Sequence, residues 1–166
     1  MGRLAIAPAA PDDLAAIGEI YDHAVSEGTA NCDLEGLTLA ERVAWLDAHR
    51  GRYRVWVARD GDRILGWTAL SPYDRRPCFR DTGSIATYVS PTARGCGVGS
   101  ALRQHLVGEA ARLGFHALLS RVWATNDPSI ALSQKFGWNK VAHMRETVRV
   151  GDRYIDCLLF QEVLPR

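Results

Sequence analysis

The chain has 166 residues, 47% of them hydrophobic and 23% charged, which suits one packed globular domain and excludes a disordered or fibrous chain. A formal charge of +1 gives no basic surface for nucleic acid or an anionic membrane, and no apolar run approaches the roughly 20 residues of a membrane helix. The cysteines at 32, 78, 96 and 157 form no C-x-x-C pair, which speaks against a zinc site or a disulfide scaffold and for free thiols in a reducing compartment.

Residues 1–10 lack a charged segment followed by a long apolar one, so no signal peptide is expected and the protein reads as cytoplasmic. Arginine greatly outnumbers lysine, found only at Lys135 and Lys140, a composition suggesting a GC-rich bacterial source.

Residues 3–7 read as a short strand ended by Pro8. Asp12 caps a helix with Leu14, Ile17, Tyr21 and Ala24 at helical spacing, and a polar loop follows over 28–36. Thr38 and Glu41 form a capping-box pattern for a second helix, whose buried stripe is expected at Leu39, Val43 and Leu46. Strands over 54–59 and 63–71 flank the hairpin signal Asp60-Gly61. A loop over 72–81 leads to a strand over 84–90 closed by Pro91. A long helix over 97–113 carries Val98, Leu102, Leu106, Ala110 and Leu113 on one face and stops at Gly114. Residues 117–123 suit a strand buried on both faces. Asp127 and Pro128 read as N-cap and first residue of a short helix ending at Gly137. Strands over 140–150 and 154–163 close the chain around Gly151-Asp152. The order β-α-α-β-β-β-α-β-α-β-β points to a single α/β domain spanning 1–166, with a mostly antiparallel sheet.

Tyr88-Val-Ser-Pro-Thr-Ala-Arg94-Gly-Cys-Gly-Val-Gly99-Ser100 runs from a strand end through a glycine-rich turn into the long helix. Gly95, Gly97 and Gly99 let backbone N–H groups converge on phosphate oxygens, and the helix N-terminus adds partial positive charge. A Walker loop needs Gly-Lys-Ser/Thr, and a Rossmann fingerprint needs G-x-G-x-x-G early in a βαβ unit; neither is present. Glycines serving only a tight strand-to-helix turn are the plain alternative.

Residues 94–99 resemble the Q/R-x-x-G-x-G/A pyrophosphate loop of the GNAT N-acetyltransferases. Asn126-Asp-Pro-Ser129, followed by Leu132, Phe136 and Gly137-Trp138, resembles the later segment that closes the cofactor slot in that family. Thr29-Ala-Asn31, Tyr88-Val-Ser-Pro91 and the segment from Gly151 to Asp156 narrow the resemblance to the phosphinothricin acetyltransferase branch, over nearly the whole chain.

The resemblance implies a GNAT fold: a mixed, twisted sheet with helices on both faces, splayed between the strands over 84–90 and 117–123. It implies acetyl-CoA as cosubstrate, bound by Arg94, Gly95, Cys96, Gly97, Val98, Gly99 and Ser100. Thr87, Tyr88 and Val89 would border the pantetheine arm, with Asn126 and Ser129 lining it. The acceptor would be a small-molecule primary amine, met by Thr29, Asn31, Arg75, Arg76, Ser84, Ile85 and Ala86. It attacks the thioester directly, since no serine or cysteine sits in a nucleophile-base pattern. Branch members are often homodimers, and no metal is implied. His23, His105 and His143 have no ligand spacing, and the five tryptophans suit core or interface more than base stacking.

Two positions depart from the branch. The glutamate expected four residues before Tyr88 is Ser84, and the histidine expected after the Asn-x-x-Ser element is Ser133. A positioned base contributes about 10²- to 10⁴-fold. An amine of pKa near 8 is already roughly a tenth neutral at pH 7, and an amine of lower pKa would barely need a base. Ser84 could relay through water, and Glu35 is a substitute base or ammonium anchor set against a solvated loop carboxylate. Tyr88 is an acid for the departing thiolate, or simply a packed strand tyrosine. Two other readings stay open: a weak or inactive acyl-CoA-binding protein, and acetylation of a protein amino group.

Overall fold

A computed structural model describes residues 4–28 and 37–165. Seven strands form one sheet in the order β1-β2-β3-β4-β5-β7-β6. They are β1 (Ala5–Pro8), β2 (Arg54–Asp60), β3 (Arg63–Pro72), β4 (Thr82–Val89), β5 (Ala117–Trp123), β6 (Asn139–Val150) and β7 (Arg153–Val163). The helices are α1 (Leu14–Glu27), α2 (Leu39–Ala48), α3 (Val98–Arg112) and α4 (Asp127–Lys135). Every strand pairing is antiparallel except β4 with β5, whose crossover contains α3. The mixed, mostly antiparallel α/β architecture expected from the sequence is the one observed.

Strand alternation divides the core into two layers. On one side Trp56, Leu70, Ile85, Leu118 and Phe160 pack with Leu106 and Ala110 of α3. On the other, Val55, Val57, Trp67 and Ala69 pack with Ile17 and Ile20 of α1. Leu102 and Leu106 are fully buried, each worth about 1.5–3 kcal/mol relative to exposure. The α3 stripe is therefore as its spacing predicts.

Three local expectations are corrected. The helix after β1 is preceded by a 3-10 turn, Pro11–Asp13, and its N-cap is Asp13 rather than Asp12. Asp13 is buried, accepts from the Ala10 N–H at 2.9 Å, and holds Arg59 through two bonds of 3.0 Å. Tertiary pairing with β2 thus selects which aspartate begins the helix.

In α2, Leu39 and Val43 are 68% and 43% exposed, so of the expected stripe only Leu46 packs against the core. The helix is rolled so that Trp45 and Leu46 meet the α1-side core, while Arg42 lies against α1. A Cβ on Gly18 would overlap the Arg42 guanidinium, so a residue poor in helix propensity gives that side chain its space. The capping box itself forms: Glu41 N–H donates to Thr38 Oγ1, and Thr38 N–H donates to the Glu41 carboxylate.

In α4 the N-cap is Asn126, whose side-chain oxygen accepts from Ser129 N–H at 3.1 Å; Asp127 and Pro128 are the first two helical residues. The cap expected at Asp127 is thus off by one position, and Asn126, expected to line the pantetheine arm, is the capping residue. Pro128 has no N–H to lose in the first turn, so the proline tolerates either register.

Candidate active site

β4 pairs with β3 from Gly83 to Val89 but with β5 only through Thr82–Ala117, Gly83–Leu118 and Ser84–Leu119. There the pairing stops while each strand runs on, β4 to Val89 and β5 to Trp123, leaving a fork with Ser84 at its closed end. Ser90 N–H donates to Leu65 on β3 at 2.9 Å. Alternation along an antiparallel strand then turns the backbone groups of Ile85, Thr87 and Val89 away from β3, into the fork.

The open end of the fork leads to the glycine-rich turn. Gly95 and Gly97 have φ of 75° and 83°, values that a Cβ disfavours, while Gly99 is already helical. Gly97 is the N-cap of α3 and offers no side-chain cap. The first intrahelical bond there is Ala101 N–H to Gly97 O, so the N–H groups of Val98, Gly99 and Ser100 precede the helical ladder. Val98 is 1% exposed among Ala93 and Leu102, which pins the turn to the core. The turn thus presents a cluster of N–H groups with helix-dipole charge behind it.

Two cations flank these donors. Arg94 donates to both oxygens of Glu27, at 2.7 and 2.8 Å, and the pair raises the guanidinium pKa while lowering that of the carboxyl. Lys135 of α4 donates to Ser100 Oγ at 3.0 Å. The sequence reading did not single out Lys135; nothing in its spacing marks it, because α4 reaches α3 only in the folded chain. Cys96 is exposed on the turn.

The other wall is aromatic. Ser84, Ala86 and Tyr88 share a face with their β3 partners Ser71, Ala69 and Trp67. The Tyr88 ring lies 4.5 Å from Trp67 and meets Tyr21 edge-on at 5.6 Å, and Trp45 lies 5.3 Å from Trp67. Beneath α1 and α2 this face encloses a cavity of about 120 Å³ lined by Ile17, Gly18, Tyr21, Arg42, Trp45 and Trp67. Arg42 is tied to Asp22, while its Nε and the Trp67 Nε1 are buried with no acceptor among the described residues. His49, just past α2, is a further group missed from sequence: its Nε2 lies 2.8 Å from Ser71 Oγ and its Nδ1 2.7 Å from Trp45 O. Burial lowers its pKa below the ordinary imidazole value.

The remaining sequence candidates are spread over several surroundings. Thr29, Asn31 and Glu35 lie outside the described residues. Ile85 points its side chain into the α3-side core, and Thr87 Oγ1 pairs with Thr68 Oγ1 at 3.0 Å on that face. Ser133 is fully buried, its hydroxyl donating to Ser129 O at 3.0 Å. Arg76 is held by Asp74 through two bonds of 2.9 Å, which lower the Asp74 pKa to about 2. Arg75 is exposed and pairs with no carboxylate among the described residues. No group of metal-ligating side chains occurs among the described residues.

The sheet thus opens into a fork with backbone facing the gap, and at its mouth lies a glycine turn whose N–H groups precede the α3 ladder. The chain belongs to the acetyltransferase (GNAT) family, whose profile matches residues 17–138, and it is a GNAT N-acetyltransferase. It is 32% identical over 163 residues to a phosphinothricin N-acetyltransferase of Streptomyces coelicolor, covering 96% of this chain and 95% of that one. An L-methionine sulfoximine/L-methionine sulfone acetyltransferase of Salmonella typhimurium is 30% identical over 90% of this chain and 88% of its own. A phosphinothricin acetyltransferase from Sinorhizobium meliloti, solved in complex with acetyl-CoA, superposes with a TM-score of 0.92 at 29% identity, covering 97% and 88% of the two chains. The resemblance drawn from the glycine turn is therefore correct for the family, and the segments that narrow it are correct for the branch.

Proposed function

We propose that this enzyme transfers acetyl from acetyl-CoA to the primary amine of a small molecule, an amino-acid analogue or an amine of low pKa. The observation that carries the reading is the fork that opens beyond Ser84 and leads to the donors of Val98, Gly99 and Ser100. Pyrophosphate on that turn sends the pantetheine arm down the fork along Thr87 and Val89, with the thioester end toward Ser84. The Val89 N–H then polarises the thioester carbonyl. The Sinorhizobium meliloti complex with acetyl-CoA supports this cosubstrate.

The acceptor enters from the α1–α2 face. The cavity there, about 120 Å³ between aromatic walls, suits a small side chain better than a protein segment. The relatives' named substrates, phosphinothricin and methionine sulfoximine, are molecules of this kind. Thr29, Asn31, Glu35 and Arg75 are substrate contacts in this reading, and Arg76 joins them only by releasing Asp74. The amine attacks directly in a ternary complex, and Tyr88 protonates the departing thiolate. Exposed Val141, Tyr154 and Val163 on the β6–β7 hairpin support a homodimer. No described helix is long and apolar enough to cross a membrane.

The test is thiol release from acetyl-CoA across a panel of amino acids, their phosphinic and sulfoximine analogues, and alkoxyamines. Turnover on one of these supports small-molecule acetylation. Acetyl-CoA binding without thiol release on any of them overturns it.

A further inference from the structure

Ser84, where the branch resemblance implies a carboxylate, has a hydroxyl partner one strand away. Ser71 on β3 is the direct partner of Ser84 on β4, so both hydroxyls stand on the face toward α1 and α2. Directly opposed strand residues hold their Cβ atoms about 4.5–5.5 Å apart, a span that one bridging water closes. Ser71 Oγ in turn lies 2.8 Å from His49 Nε2. The other ring nitrogen, Nδ1, faces the Trp45 carbonyl at 2.7 Å. A carbonyl only accepts, so Nδ1 carries the proton and Nε2 of the neutral ring accepts from Ser71. The Trp45 ring, 4.7 Å away between centroids, holds the imidazole in this orientation.

We propose that His49 is the terminal proton acceptor for the substrate amine, reached through the hydroxyls of Ser84 and Ser71. The proposal rests on small-molecule amine acetylation as the function. An ammonium group gives one proton toward Ser84 Oγ through water, the Ser84 proton passes to Ser71 Oγ through the bridging water, and the Ser71 proton passes to His49 Nε2. The freed lone pair forms the N–C bond to the thioester carbon. Cleavage of the C–S bond expels the thiolate, which takes up the second amine proton by way of Tyr88. His49 then releases its proton to solvent.

A cleft of about 240 Å³ beside the ring, lined by Pro8, Ala9, Leu46, Arg50 and Arg54, provides that exit. The charged groups around His49 are Arg50 and Arg54, with Asp47 held by Arg50; Ser71 and Ser84 are uncharged. Among the described residues no carboxylate stabilises the imidazolium, and burial keeps the ring neutral and ready to accept. Transfer from an amine of pKa near 8 to this ring is uphill, because burial holds the ring below the ordinary imidazole value, so escape of the proton through the cleft is part of the device.

The experiment measures kcat for His49→Asn and Ser71→Ala between pH 6 and 9.5, on the best amino-acid acceptor and on an alkoxyamine. Acetyl-CoA affinity and melting temperature are recorded for each variant. The expected result is a loss of about 10- to 100-fold at pH 7 on the amino acid in both variants, with cofactor affinity retained. The loss shrinks as pH passes the amine pKa and is nearly absent on the alkoxyamine, whose nitrogen is neutral throughout. Adding Ser84→Glu to His49→Asn restores turnover by placing a carboxylate beside the amine. No loss, or a loss equal on both amines and at every pH, overturns the relay while leaving acetylation standing. A wild-type enzyme that turns over none of these amines removes the proposed function and the relay together.

Discussion

Arg94, beside the anion turn, is held by Glu27 at the end of α1 through two hydrogen bonds of 2.7 and 2.8 Å. An arginine expected to meet pyrophosphate is thus already neutralised by a carboxylate carried on the opposite side of the sheet. Both side chains are partly exposed, at 46% and 31%, so the pair is of the kind worth only about 0.2–1 kcal/mol.

Glu27→Gln frees Arg94 and removes a negative charge near the phosphates. We expect acetyl-CoA to bind roughly 1.5- to 5-fold more tightly, as an ion pair of that strength no longer competes. Calorimetric titration at low and high salt checks this; the gain shrinks with salt because the partners are solvent-accessible.

Gly97→Glu adds a side chain at a residue with φ of 83° and points a carboxylate toward the donors of the α3 N-terminus. Acetyl-CoA binding should be lost. Gly99→Ala is the contrast: its Cβ would meet Val89 Cγ2 at 3.5 Å and Leu132 Cδ2 at 3.7 Å, ordinary contacts. Its melting temperature should hold or rise, because alanine in a helix is favoured over glycine by about 1 kcal/mol.

Asn126→Ala removes the α4 cap and should destabilise the fold by about 1 kcal/mol, whereas Asn126→Asp keeps an acceptor and most of the stability. Urea unfolding of the two variants distinguishes capping from cofactor contact. An affinity loss in the aspartate variant, with stability retained, assigns Asn126 a second role at the pantetheine arm.

Asp13→Ala leaves Arg59 beside a buried vacancy and the Ala10 N–H without its acceptor. Breaking a buried pair costs about 3–5 kcal/mol, and the partial exposure of Arg59 places this loss at the low end or below. Chemical denaturation measures it.

Stability should also fall in mild acid. Burial lowers the pKa of both His49 and His105 in the folded chain. A histidine with a depressed folded pKa contributes fully above the unfolded value near 6.5, and the contribution drains away as pH drops below it. Melting temperatures between pH 7.5 and 5 should decline, less steeply in His49→Asn.

The sequence by itself determined the order of elements, the α3 stripe and the anion turn. Each is a local pattern: a 3.6-residue period, alternation along strands, or glycines needed where φ is positive, as at Gly95 and Gly97. The family followed from the same turn, since its chemistry depends on contiguous residues. Elements that answer to distant partners were less legible. Which aspartate begins α1 depends on Arg59, which side of α2 is packed depends on α1 and the sheet, and the α4 cap lies one residue from where the proline suggested. The surroundings of the substituted position 84 were legible only in tertiary structure. Pairing register sets Ser71 opposite Ser84, and the end of α2 brings His49 to Ser71, joining residues that no sequence spacing relates. Short-range patterning is encoded by neighbours along the chain, whereas the proton path depends on strand register and helix docking, which only the packed core fixes.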